Sequence, residues 1–191
     1  MNIRLFYEVN KTKIKITISV ILGISLLAII ICSIIFNSKL NAKRKSQITY
    51  SSVTGSDSSF KISLNDNYNL KSSSSNDYVL ILKNSDNFSL TVSKVAKYNF
   101  ELRKILESDQ QSFLQSLGNY TNLSEISEAK YQNISGYSYS LDYTQNSNKY
   151  ILTEFLTEIN GTLYFFDIKY PKNQEKKYKE IQNDLLNSIS I

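Results

Sequence analysis

The chain contains no histidine and no tryptophan, and among its 191 residues there is one cysteine, one proline and five glycines. Without histidine there is no Ser-His or Cys-His relay and no imidazole metal ligand. One cysteine rules out an intramolecular disulfide and any Cys-rich zinc site. The pattern predicts no catalytic set, no metal centre and no cofactor. The scarcity of Gly and Pro also leaves few places where the chain is forced to break, so elements are read from the periodicity of apolar residues.

The net charge of +5 is unevenly placed. Residues 1–45 hold eight Lys/Arg against the single acid Glu8, and residues 46–191 hold fourteen against sixteen. The head therefore carries +7 and the remainder −2. A nucleic-acid footprint would need the basic charge on the folded part, so no nucleic-acid partner is expected. The positive charge instead flanks an apolar run. Ile16 to Phe36 is 21 residues without a charge, roughly 31 Å of helix at 1.5 Å per residue, which matches the hydrocarbon thickness of a bilayer. The run is longer than a signal-peptide core, and its nearest small-residue cut, after Ala42, has Leu40 where a small side chain is preferred. It reads as an uncleaved single-pass anchor. Ser19 and Gly23, like Ala28 and Cys32, form small-xxx-small pairs that let two membrane helices approach, so Ser19 and Gly23 are candidate helix–helix contacts of a homodimer. Flanking charge ties at four on each side, so orientation rests on the short tail staying inside: N-terminus cytoplasmic, C-terminal domain extracytoplasmic, in a bacterial cell membrane.

The expected organisation is a basic tail over 1–15, a transmembrane helix over 16–36, a basic and polar stalk over 37–57, and one domain over 58–191. Lys43-Arg44-Lys45 lies in the stalk as a flank of the anchor. In the domain, Phe60, Ile62 and Leu64 alternate with Lys61 and Ser63 as a half-buried strand, after a first short strand near Ile48. Tyr78–Leu82 and Phe88–Val95 form a hairpin across Asn84-Ser85-Asp86-Asn87. The period then changes: Leu102, Ile105, Leu106, Phe113, Leu114 and Leu117 lie on one helical stripe, with Asn99 as expected N-cap and Gly118 just past the end. Strand patterning resumes over 126–134, 137–143, 150–159 and 163–170, the last two joined by Asn160-Gly161, which favours a type I′ turn. Pro171 stops the strand, and Asn173 opens a helix with Tyr178, Ile181, Leu185 and Ile189 on its apolar side. Tight hairpins imply an antiparallel sheet with two amphipathic helices packed on it, an α+β domain.

The strand Phe60-Lys61-Ile62-Ser63-Leu64 followed by Asn65-Asp66-Asn67-Tyr68, the middle helix, Gly161-Thr162-Leu163-Tyr164, Tyr170-Pro171 and a final helix ending Leu185-Leu186-Asn187-Ser188-Ile189 resemble the PsbP-like domain family. Asp66 and Tyr68 stand where such domains often have Pro and Trp. The resemblance implies a non-enzymatic αβα sandwich used for docking.

The remaining motifs carry little chemistry. Ser-x-x-Lys occurs at Ser58–Lys61 and Ser127–Lys130, at no more than the frequency expected in so Ser- and Lys-rich a chain. Asp66 among Asn65, Asn67 and Asn69 lacks the glycine and the second acid of a calcium loop and reads as an Asx-rich turn. Asp142, Glu154, Glu158 and Asp167 are the carboxylates available for glycan hydrolysis, and their strand positions predict an ordinary solvent face. Tyr137, Tyr139 and Tyr143 line one face of a strand with Leu141, either as an interaction face or as core. The expected role is a membrane-anchored binding module for a protein or envelope ligand. The alternatives are an accessory subunit of a membrane complex and a carboxylate-based glycan enzyme.

Overall fold

A computed structural model describes residues 49–96, 99–117 and 119–191. The tail, the apolar run with Ser19 and Gly23, the first part of the stalk and Gly118 lie outside the described residues. Among the described residues no helix is long and apolar enough to cross a membrane.

The chain order is β1 (Tyr50–Thr54), β2 (Lys61–Asn65), β3 (Lys71–Ser73), β4 (Leu80–Lys83), β5 (Ser89–Val95), α1 (Leu102–Leu117), β6 (Tyr120–Thr121), β7 (Ser127–Lys130), β8 (Ser135–Gln145), β9 (Asn148–Ile159), β10 (Thr162–Pro171) and α2 (Glu175–Asn187). The first strand therefore falls inside the stretch read as stalk, two residues beyond Ile48. It pairs with β2 as a separate antiparallel hairpin. The other eight strands form one antiparallel sheet in the order β3-β4-β5-β10-β9-β8-β6, with β7 also on β8.

The tight turns supply the register. Asn160 and Gly161 both have positive φ, +49° and +80°, the backbone of a type I′ turn. Asn146 and Ser147 repeat it between β8 and β9, with φ of +50° and +65°. Gly136 answers a different need. A Cβ there would stand 1.9 Å from the Leu156 carbonyl oxygen across the sheet, so only a hydrogen allows β8 and β9 to approach.

Side chains alternate across the sheet, and each face is covered by one helix. On one face Leu90, Val92, Phe155, Phe166, Ile168 and Tyr170 meet α2 and the β1–β2 hairpin, which contributes Ile62 and Leu64. Phe88 stacks on Tyr178 at 5.2 Å and on Tyr170 at 6.4 Å. The end of the chain is tied down as well, since Ser190 and Lys61 exchange backbone hydrogen bonds of 2.8 and 2.9 Å. On the other face α1 lies over Tyr139, Leu141, Tyr143, Leu152, Leu156, Leu163 and Phe165. This is the α+β, αβα sandwich expected.

Two helix starts differ from expectation. The first intrahelical bond of α1 runs from the Ile105 N–H to the Glu101 carbonyl at 3.2 Å, so Asn99 lies upstream of the cap. The final helix is preceded by a short 3₁₀ turn, Lys172–Gln174, and starts at Glu175 rather than Asn173. Pro171 fixes the extended backbone before that turn, with φ of −62° and ψ of 133°.

Candidate functional site

The sheet register lines up a row of side chains under α1. Tyr139 of β8 is opposite Glu154 of β9, Glu154 is opposite Asp167 of β10, and Asp167 is opposite Thr91 of β5. Two acids directly across from each other repel, which is unfavourable unless something else uses the charge. The expectation that Glu154 belongs to a solvent face is overturned: the residue is only 4% exposed. The physical reason is that β9 is covered on both sides, as shown by Ile151 and Phe155 packing toward α2 while Leu152 and Leu156 pack toward α1.

The tyrosyl hydroxyl of Tyr139 donates to Glu154 Oε2 at 3.1 Å. Glu154 Oε1 is buried with no hydrogen-bond partner. The neighbouring carboxyl is that of Asp109 on α1, itself an acceptor, so the two can bond only when one of them holds a proton. Burial first, and then the charges of Asp167 and Asp109, push the Glu154 carboxyl up to about 9. Asp167 is half-buried and is pushed up to about 7 by burial and by Asp109, although a hydrogen bond from Thr91 favours its ionised form. Burial and the adjacent Glu154 also raise Tyr139 above the usual phenol range. Glu154 is thus held neutral near neutral pH.

Around these acids the seam between α1 and the sheet is open. One stretch, of about 440 Å³, is lined by Asp109, Glu154, Asp167, Thr91 and Phe165 among others. A second, of about 580 Å³, continues from it along Phe100, Ile105 and Phe165. Val95, Asp109 and Phe165 border both. Lys169 also borders the acidic stretch, yet its ammonium is 2.9 Å from Gln145 Oε1 and 4.5 Å from the Tyr150 ring centre, so it is engaged elsewhere. No described ion pair reaches Asp109, Glu154 or Asp167. Among the described residues no three acidic side chains converge closely enough to hold a metal ion.

Of the candidate tyrosines, Tyr139 and Tyr143 are 2% and 8% exposed, and Tyr137 is half-buried. They are packed beneath α1 rather than displayed, and Tyr143 borders the groove. Asp142 faces away from the groove and pairs with Lys172. Ser127 and Lys130, three apart on β7, point to opposite faces. Asp66 accepts a hydrogen bond from Ser51 at 3.0 Å, while Asn65 accepts one from the Asn67 N–H at 3.0 Å, which is the Asx turn expected there.

Asp109 escaped the sequence reading, although a signal was present. It lies three residues after Leu106 and four before Phe113, inside the apolar stripe of α1, where an acid is out of place. Glu154 interrupts the Leu152–Leu156 set in the same way.

No protein-family model and no curated protein matches the sequence. Solved structures do. Cyanobacterial PsbP (CyanoP) from Synechocystis aligns over 75% of this chain and 93% of its own, with 9% identity and a TM-score of 0.57. A Bacteroides thetaiotaomicron protein aligns over 73% of this chain and 47% of its own, with 9% identity and a TM-score of 0.53. The Saccharomyces cerevisiae Ran-binding protein Mog1p aligns over 76% and 96%, with 7% identity and a TM-score of 0.50. The described domain has the PsbP-like fold that the sequence resemblance implied.

Proposed function

We propose that this is a single-pass membrane protein that holds a PsbP-like binding module on the outer side of a bacterial cell membrane, where it captures a ligand or partner without transforming it. The observation that carries the binding role is the groove between α1 and the sheet, where a buried carboxyl with a free oxygen faces a cleft of ligand size. The fold supports the reading, since one of its structural neighbours is a Ran-binding protein. The uncharged run from Ile16 to Phe36 supports the anchor.

A carboxylate-based glycan enzyme is the second reading, because Glu154 and Asp167 stand opposite one another with shifted acidities. Against it, Glu154 lies beneath α1 and is only 4% exposed, too deep to meet a polymer chain directly.

The test is topological. Ser73 is exposed on edge strand β3, so Ser73→Cys supplies an accessible thiol in the domain. A membrane-impermeant maleimide should label it on intact cells as fully as after lysis. Labelling only after lysis would remove the extracytoplasmic module and leave a cytosolic docking role.

A further inference from the structure

The groove has two ends of different chemistry. At one end are the carboxyls of Glu154 and Asp167, at the other the side chains of Phe100 and Ile105 with Lys104 beside them, and Val95, Asp109 and Phe165 border both. Three acids share the first end with no described cation paired to any of them. Glu154, 96% removed from solvent by its 4% exposure, keeps one oxygen without a donor. Buried carboxylates in folded proteins are ordinarily paired or hydrogen-bonded, so this end lacks a donor bearing positive charge. At the apolar end Phe100 is 69% exposed, a large ring left on the rim with nothing described over it.

We infer that the groove binds a primary ammonium group carried on an apolar chain, with the ammonium among Asp109, Glu154 and Asp167 and the chain lying along Phe165 toward Phe100. An ammonium offers three donors, and the acids that border this end of the groove stand on three different elements, α1, β9 and β10. A neutral apolar ligand would leave the acids as they are, and an anion would add negative charge beside a cluster of acids. This inference rests on the reading of the domain as a binding module and names what that module takes.

Three probes of one length separate these cases: n-hexylamine, 1-hexanol and hexanoate, titrated calorimetrically into the full chain in lipid nanodiscs with empty nanodiscs as blank. Hexylamine should bind, hexanol at least about tenfold more weakly, and hexanoate not at all. Asp109 is exposed, so Asp109→Asn leaves packing intact and should weaken hexylamine by about tenfold while leaving hexanol unchanged. Glu154→Gln, which keeps the shape of the side chain, should do the same. Equal binding of hexylamine and hexanol, or hexylamine binding that neither variant weakens, overturns the assignment, as does the absence of saturable hexylamine heat. None of these results bears on the side of the membrane, which the Ser73→Cys labelling decides by itself.

Discussion

The two helices grip their faces of the sheet very differently. The 13-residue α2 buries Tyr178, Ile181, Gln182, Leu185 and Leu186, whereas the 16-residue α1 buries Leu106 alone. The α2 face holds a layer of stacked aromatic rings and, among the described residues, no buried carboxyl. The α1 face holds Glu154 in its middle row and an open groove beside it. One face supplies most of the apolar burial that stabilises the fold, and the other gives up packing to keep ionisable groups in a cleft. Helix length is thus a poor guide to anchoring; what counts is how many side chains are taken out of water.

The sharpest way to break this contrast is at the α2 face. Phe166 is fully buried and packs on Phe60 at 5.6 Å and Phe155 at 5.9 Å. Phe166→Ala should cost about 3–5 kcal/mol in urea unfolding. A loss no larger than that of an exposed residue would show that the α2 face is not the main source of stability. On the other face, Leu106→Ala removes the one fully buried contact of α1 and should cost about 2–3 kcal/mol. Because the other apolar residues of α1, Leu102, Ile105, Phe113, Leu114 and Leu117, are only partly buried, amide exchange along residues 102–117 should speed up selectively. Uniform acceleration throughout the domain would show that α1 and the sheet unfold as one unit instead.

The smallest expected effect has the opposite sign. Burial and neighbouring acids raise Glu154 from 4.5 to about 9, so the folded state holds this proton more tightly than the unfolded chain does. Folding therefore takes up a proton between those values. The stabilisation linked to the neutral carboxyl is complete below about pH 4.5 and is lost as pH rises through about 9. Glu154→Gln removes this dependence and should stabilise the domain at pH 7 by on the order of 2 kcal/mol, while flattening the decline of stability from pH 5 to pH 9. An unchanged slope across that range would mean that Glu154 is ionised in the folded protein, and the contrast between the faces would then be one of packing only.

Much of this was legible in the chain. The Asn160-Gly161 turn, the hairpin before α1 and the apolar stripes of both helices are local features, set by a few residues within one turn or one strand, and each lies where the pattern put it, except that Ile189 falls two residues beyond the end of α2. The start of α1 was less legible, because Asn99 has the chemistry of a cap but the chain completes its first helical bond at Glu101. The site was hardest. Glu154, Asp167 and Asp109 are separated by up to 58 positions and meet only through sheet register and the path of α1.

By itself, the sequence determined the absence of histidine chemistry and of any internal disulfide, the uncharged run near the N-terminus, and the alternation that assigns strand residues to two faces. Alternation says which residues share a face, because it follows from the pleat of a single strand. Only the tertiary structure decided which face each helix covers, and so turned Glu154 from an ordinary strand acid into a buried one beside Asp109. Burial is a property of what lies above a side chain, and here that is a helix 45 residues away from it in the chain.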